Sequence, residues 1–494
     1  MRHHPARAIP GLVLLAALAA CGGGSGPSPS RSSRSEAAPA LLAGAAARLI
    51  TPDLASPAQP VYVGGLERGL KATGVADELY ARAMVLTDAQ GTSVGLVVLD
   101  LIGFFHDDVV AVREELQTRY PDILLAHLAV ASTHTHAGPD VIGLWTPIGG
   151  SVDAAYIARV RREAVEAVAE AWRRRAPAEM YVGVSSAPGL AKDTRLPEVI
   201  DDAVLALGLR APGGGPGIAS LVNWNSHPSV VGGENSRLSA DFPWAVVRRM
   251  EKDWGGVSLY ASGALGGQIG SGRVKVPDPA TGDTPNDRMR RAELLGDRIG
   301  VIAVESLREA VKSPAPAPRL KAAGRPLWIP MDNARFAEGL AIGLIRPRRL
   351  YPLGGGADGW LPSELPDKSS LRPGTYALRS EAAVVDLGPA RLALIPGELY
   401  PELALGKFQD PQDPGADFPG APREAALRGL SDRPLFLIGL ANDELGYIIP
   451  RAQWDSEPPY AYGRDEPQYG ERNSVGPSTA PLVMEALQEL LGSL

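Results

Sequence analysis

The sequence predicts an α/β protein: a mixed, partly parallel β-sheet flanked by helices, with its candidate functional groups in loops at strand ends. Three observations carry this. A strand, a helix and a second strand follow one another between Ser93 and Ala131, the pattern of a sheet with at least a parallel portion. Apolar runs end repeatedly in short polar loops, as at Ser132-Thr133-His134-Thr135-His136 and at Trp224-Asn225-Ser226-His227-Pro228. Hydrophobic residues make up 45% and charged residues 21% of the 494, ordinary for a folded body and enough for a large core or two fused lobes.

The formal net charge of -7 leaves no excess of Lys and Arg to displace counterions, so nucleic acid is not an expected partner. With Gly 56 and Pro 45, turns and long connections are frequent, and loops should carry much of the active surface. The single cysteine, Cys21, falls in the leader. No intramolecular disulfide can form, and any metal site in the body must use His, Asp, Glu or Tyr.

Residues 1–21 read as a lipoprotein signal peptide: Arg2 and Arg7 precede a short apolar run from Gly11 to Ala17, too short to span a bilayer. Leu18-Ala19-Ala20-Cys21 resembles a bacterial lipobox, in which the cysteine is acylated; an ordinary secretory signal is the plainer reading. Residues 22–40 form a Gly/Ser/Pro tether. The expectation is a cell-envelope lipoprotein, periplasmic, anchored to the outer membrane through lipidated Cys21, or extracellular.

The folded body is expected over residues 41–494. Tyr80 to Leu86 and Ser93 to Asp100 read as paired strands around Asp88-Ala89-Gln90-Gly91, and Asp107 to Tyr120 as a helix. That helix feeds the apolar strand that ends at the two histidines. A second helix spans Asp153 to Arg175, with Ala and Val at helical spacing. Strands follow at Met180 to Ser185, Val204 to Leu209 and Ile218 to Asn223, then a helix from Phe242 to Asp253. Val257 to Tyr260 leads into the glycine-dense Gly263 to Gly270, and a helix covers Asp287 to Val311. The glycine run lacks the Lys-Ser/Thr ending and the G-x-G-x-x-G order, so no nucleotide cofactor is expected. Residues 330–375 have weak periodicity and read as an elaborated insertion. A hairpin around Gly388-Pro389 delivers Pro396-Gly397-Glu398, and Leu435 to Leu440 runs into Ala441-Asn442-Asp443-Glu444-Leu445-Gly446-Tyr447. A helix from Thr479 to Leu491 closes the chain.

His134 and His136 stand two residues apart, and extended backbone there would point both to one side. His227, Glu398 and Tyr447 share the same setting, an apolar strand followed by a polar loop. Two imidazoles and a carboxylate are the ligand set of many hydrolytic zinc sites. The plainer readings are satisfied buried histidines at strand ends, a carboxylate at a helix N-terminus and a core aromatic. His127, between Ala126 and Leu128, reads as packed and structural.

These residues resemble the neutral ceramidase family. Its T-H-T-H-S-G-P is matched by Thr133-His134-Thr135-His136-Ala137-Gly138-Pro139. Its N-W-x-x-x-H-P appears one residue shorter as Asn223-Trp224-Asn225-Ser226-His227-Pro228, and its P-G-E is Pro396-Gly397-Glu398. Its G-L-x-N with a tyrosine five residues on is Gly439-Leu440-Ala441-Asn442 and Tyr447. The motifs keep the family's order over about residues 60–480. The resemblance implies a zinc ion held by His134, His227, Glu398 and Tyr447, with His136 beside it as a hydrogen-bond partner or a catalytic group. Arg195, in Asp193-Thr194-Arg195-Leu196-Pro197, resembles a pocket-lining arginine of the family. The family's catalytic serine, in G-D-x-S-P, falls here on Gly270 or, with a one-residue slip, on Ser271. The resemblance covers the family's catalytic part, and its C-terminal β domain is not expected here.

The implied activity is a zinc-dependent amidohydrolase acting through a metal-activated water on the N-acyl amide of ceramide or a similar N-acyl lipid. The serine-loop departure motivates a second reading, a zinc hydrolase of another acyl amide or ester of the cell envelope. A third is a non-catalytic lipoprotein that binds a ligand in the same pocket.

Overall fold

The computed structural model describes residues 41–55, 59–312, 318–353 and 371–494, so the leader, Cys21 and the tether lie outside the described residues. Strand β1 (Leu41–Leu49) pairs antiparallel with β2 (Tyr80–Asp88), and β2 with β3 (Ser93–Leu99). Helix α1 (His106–Arg119) then crosses over to β4 (His127–Ser132), which lies parallel to β3. Helix α2 (Ala154–Arg173) is capped by Asp153, whose carboxylate accepts from the backbone of Ala155 and Tyr156. With α1 it covers one face of this sheet, where Val97 and Leu99 of β3 are buried. Val94, Leu96 and Val98 alternate to the other face. A strand buried on both faces reads as one continuous apolar run, and β3 does.

The second sheet joins β5 (Glu179–Ser186), β6 (Ala203–Arg210) and β7 (Gly217–Trp224) antiparallel. Helix α3 (Phe242–Asp253) returns the chain to β8 (Val257–Ser262), parallel to β7. Helix α4 (Arg288–Ala310) packs beside α3 on the outer face, burying Leu295 and Ile299 against Val204 and Val222.

In the third sheet, β9 (Lys321–Pro330) is followed by α5 (Ala334–Ala341) and β10 (Leu350–Pro352); β9 and β10 both pair antiparallel with β11 (Tyr376–Asp386). Strand β12 (Arg391–Leu394) completes a hairpin with β11. The short β13 (Glu398–Leu399) and helix α6 (Pro401–Leu405) precede β14 (Leu435–Ile438), parallel to β12. Strand β15 (Tyr447–Ile448) pairs parallel with β13, and helix α7 (Thr479–Ser493) packs on the outer face. Inner faces of all three sheets meet in one core, with Leu96 and Ala131, Leu207 and Leu221, and Leu394 and Phe436 in contact as a single cluster.

The α/β class, the flanking helices and the partly parallel pairing agree with the sequence reading, but one sheet was expected and three larger sheets are found. Strand β1 was not anticipated either. Its alanine-rich LLAGAAARL favours a helix by propensity, and burial on both faces overrides that weak preference. Gly44 shows how closely it is packed: a Cβ there would lie 2.2 Å from the Ala171 carbonyl oxygen of α2. Of the stretch 330–375, the described parts supply α5 and the edge strand β10. Among the described residues no helix is long and apolar enough to cross a membrane.

Candidate metal centre

Each of the three larger sheets has a parallel pair, and at least one strand of each pair runs into a loop that carries candidate ligands. Strand β4 leads to His134 and His136, β7 to His227, and β12 and β14 to Glu398 and Tyr447. Strand ends of this kind are where open α/β folds place ligand sites. The loops are stitched to one another by main-chain bonds. The His136 amide donates to Pro228 O at 2.9 Å, Glu398 to Gly446 O at 2.9 Å, and Asn442 to Val130 O at 2.7 Å. Asn223 joins the second and third sheets, its Nδ2 donating to Leu437 O at 2.8 Å and its Oδ1 accepting from Leu437 N at 3.2 Å.

The extended backbone expected at the histidine pair is not what forms. His134 has φ 67°, in the left-handed region, as have Leu440 at 50° and Asn442 at 67° on the facing loop. A non-glycine residue held there costs on the order of 1–3 kcal/mol, and such strain concentrates at functional sites. The rings meet edge to face, His134 to His136 at 4.8 Å and His134 to His227 at 4.9 Å between centroids.

One ligand atom from each of His134, His136 and His227 lies within 4.8 Å of the others. Glu398 Oε2 is 2.8 Å from His227 Nε2 and 3.3 Å from His134 Nε2, and the Tyr447 hydroxyl is 3.3 Å from His227 Nε2. His134 Nδ1 contacts Ile102 O at 2.6 Å and His136 Nδ1 contacts Gly65 O at 3.1 Å. A carbonyl can only accept, so both Nδ1 atoms carry the proton and both Nε2 atoms present lone pairs. Those two Nε2 atoms are buried without a hydrogen-bond partner. Lone pairs converging on a carboxylate in a dry site repel one another unless a cation lies between them, so this donor set fits a divalent metal.

Electrostatics support the same form. Burial, followed by the neighbouring His134 and His227, holds His136 well below its ordinary pKa, and burial lowers His227. Neutral imidazole is the ligand form.

The remaining expected site residues are placed elsewhere. Arg195 does not line the cavity beside this cluster. Its guanidinium meets Glu471 in a buried bidentate pair at 2.7 and 2.9 Å and also donates to Gln453 O and Tyr469 O. It lies 5.3 Å from the Tyr400 ring centroid, and that ring packs on Tyr447 at 5.9 Å, so its link to the site is indirect. Ser271 is buried, with its hydroxyl 3.1 Å from Ser229 Oγ, and it is not among the residues lining the cavity; neither is Gly270.

His127 packs at the start of β4 between Arg113 and Glu381, with its side chain 9% exposed. Burial, then the Arg113 charge, pushes its pKa down from 6.5 to about 4. The unfolded chain therefore binds more protons than the folded one between those values. This contribution is complete above 6.5 and is lost as pH falls toward 4, roughly 3 kcal/mol in all. His127→Gln is expected to lose less stability than the native protein across that window in urea titrations; equal losses would remove His127 from the account.

Three further groups escaped the sequence reading. Glu444, Trp145 and Tyr469 line a cavity that His134, His136, Glu398 and Tyr447 also border. Burial and the Glu398 charge push the Glu444 carboxyl well up. Trp145 stands 6.4 Å from His136, and Tyr469 stacks edge-on against Tyr447 at 5.6 Å. A loop tryptophan and a loop tyrosine carry no local signal of such a role. Most of the remaining wall is apolar, including Phe105, Ile142, Leu144 and Phe336.

These features define a class: an α/β protein whose converging strand ends bring imidazoles, a carboxylate and a phenol together at one side of an apolar cavity. No protein-family model matches the sequence, and no curated protein matches it. Among solved structures, the chain matches the neutral ceramidase from Pseudomonas aeruginosa with a TM-score of 0.64 at 15% identity, covering 92% of this chain and 75% of that one. It matches a ceramidase complexed with C2 with a TM-score of 0.65 at 15% identity, covering 92% of this chain and 76% of that one. The chain has the ceramidase fold.

Proposed function

We propose that the protein is a zinc-dependent amidohydrolase that cleaves the N-acyl amide of ceramide or a similar N-acyl lipid. The observation that carries the reading is the meeting of His134, His136, His227, Glu398 and Tyr447 at an apolar cavity in a ceramidase fold. His134, His227, Glu398 and Tyr447 would hold the ion, with His136 as a further imidazole at its side. Bound there, zinc supplies Lewis acidity, polarising a carbonyl and bringing the pKa of water toward neutrality.

The chain's own side chains do the rest. Phe105, Ile142 and Leu144 take up an acyl chain and keep bulk water from the reacting end. His136, its Nδ1 proton fixed on Gly65 O, keeps Nε2 free to hold a proton from the reacting groups. The leader and Cys21 are read as a lipid anchor that would keep the body at the cell envelope, near lipid substrates.

The test is metal content and turnover of the purified protein. Equimolar zinc is expected, together with release of fatty acid from a short-chain ceramide, lost on chelation and regained on adding zinc. A zinc-loaded protein that cleaves neither ceramides nor simpler N-acyl amines would end the proposal.

A further inference from the structure

The stretch that reads as an insertion in the sequence supplies part of the cavity wall. After α5 the chain runs through residues 342–349 to the edge strand β10. Two of its apolar side chains, Phe336 of α5 and Ile345, border the cavity together with Phe105 and Ile142. Phe336 is buried in the core of the third sheet with Leu340 and Leu350. Ile345 packs both on that core and on the one beneath α1 and α2, so this stretch straps two cores together at the cavity.

The strap is clamped in place. The Arg346 amide donates to Ile142 O at 2.7 Å. Gly143, at φ 94°, allows that approach, since a Cβ there would stand 2.8 Å from Arg346 N. Arg346 also meets the buried carboxylate of Asp108 in α1, and the Arg349 amide donates to Asp107 at 3.1 Å. Arg348 holds both oxygens of Asp443 at 2.6 Å, with the two side chains 2% and 0% exposed. The guanidinium groups of Arg346 and Arg348 stand 5.0 and 4.4 Å from the centroid of the Phe105 ring, so the same clamp holds a second wall residue. Lifting the strap strands buried carboxylates without their counter-ions, which is costly.

An apolar wall that does not yield acts on an alkyl chain in two ways. Each methylene that fits against it leaves water and strengthens binding about fourfold. Each one beyond the available space stays in water or forces packed side chains apart. We propose that Ile345 is a specificity-determining residue which, with Phe336, sets the longest acyl chain the cavity takes up. This rests on reading the cavity as the acyl site of an amide hydrolase.

The probes are straight-chain N-methylalkanamides from butanamide to hexadecanamide, each below its aggregation concentration, with binding to the full chain stripped of metal followed by calorimetry. Affinity is expected to rise about fourfold per methylene and to level off at a limiting length. Ile345→Ala frees the space of three carbons and is expected to move that limit outward by about two to three methylenes. Ile345→Phe fills space and should move it inward. A general loss of stability would act on both variants in the same sense, so opposite shifts are the signature. In the zinc-loaded proteins, kcat/KM for ceramides of graded acyl length should follow the same shifts. Opposite shifts in binding without turnover of any ceramide would uphold the role of Ile345 and sink the hydrolase. Turnover with one unchanged limit in all three proteins would overturn the inference and leave the hydrolase standing. Shifts of the same sign in both variants, or binding of none of the amides, would overturn it as well.

Discussion

Removing the His134 imidazole is expected to strip the metal and with it the activity. Loss of an outer hydrogen-bond partner alone weakens metal binding about 10–100-fold, so loss of a ligand is expected to exceed about 100-fold. The choice of variant matters. His134 already holds φ 67°, so His134→Ala keeps the Cβ and the strain that the native residue carries and deletes only the ring. His134→Gly would also release that strain and so change stability together with ligation. Glu398→Ala is the companion change, since Oε2 of Glu398 contacts both His227 and His134. Both variants should keep a native unfolding transition when measured against the metal-free parent, yet lose zinc by elemental analysis and lose amide hydrolysis. Retention of equimolar zinc in either variant would mean that the ion, if present, is held elsewhere.

Replacing Arg195 is expected to damage stability first. The Arg195–Glu471 pair has side chains 2% and 1% exposed, and Glu471 Oε1 also accepts from Asp455 N. Arg195→Met leaves a buried carboxylate without its counter-ion, and breaking one partner of such a pair costs about 3–5 kcal/mol. Lysine cannot reproduce the two-point contact and should recover only part of the loss. Urea unfolding of Arg195→Met and of the double variant with Glu471→Gln reads this directly: the double variant should be the more stable of the two, because the stranded charge is gone. If Arg195→Met instead unfolds like the parent while kcat collapses, Arg195 belongs to the reaction after all and its pocket-lining resemblance is functional.

Much of the architecture was legible because burial leaves a local trace. Strand β3 is apolar on both faces and reads as one run, and α2 and α4 carry apolar residues at helical spacing. Strand β1 left no such trace, since alanine and glycine suit its crowded position against α2 while signalling a helix or a loop. Glu444 and Asp443 look like solvated loop charges in sequence. Their burial arises from Arg348, some 95 residues away, and from the backbone of Gly103.

By itself the sequence determined which side chains are able to ligate a metal: with no cysteine in the body, histidines, acids and tyrosines at the ends of apolar runs were the available donors. Only the tertiary structure decided that His136 joins His134 and His227 as a third imidazole, that Arg195 is consumed by Glu471, and that Glu444 is buried in the cavity wall. The physical reason is that loops from three sheets define the site. Their relative placement is set by main-chain bonds such as Asn442 to Val130 and His136 to Pro228, between segments far apart in the chain, and no local pattern encodes those distances.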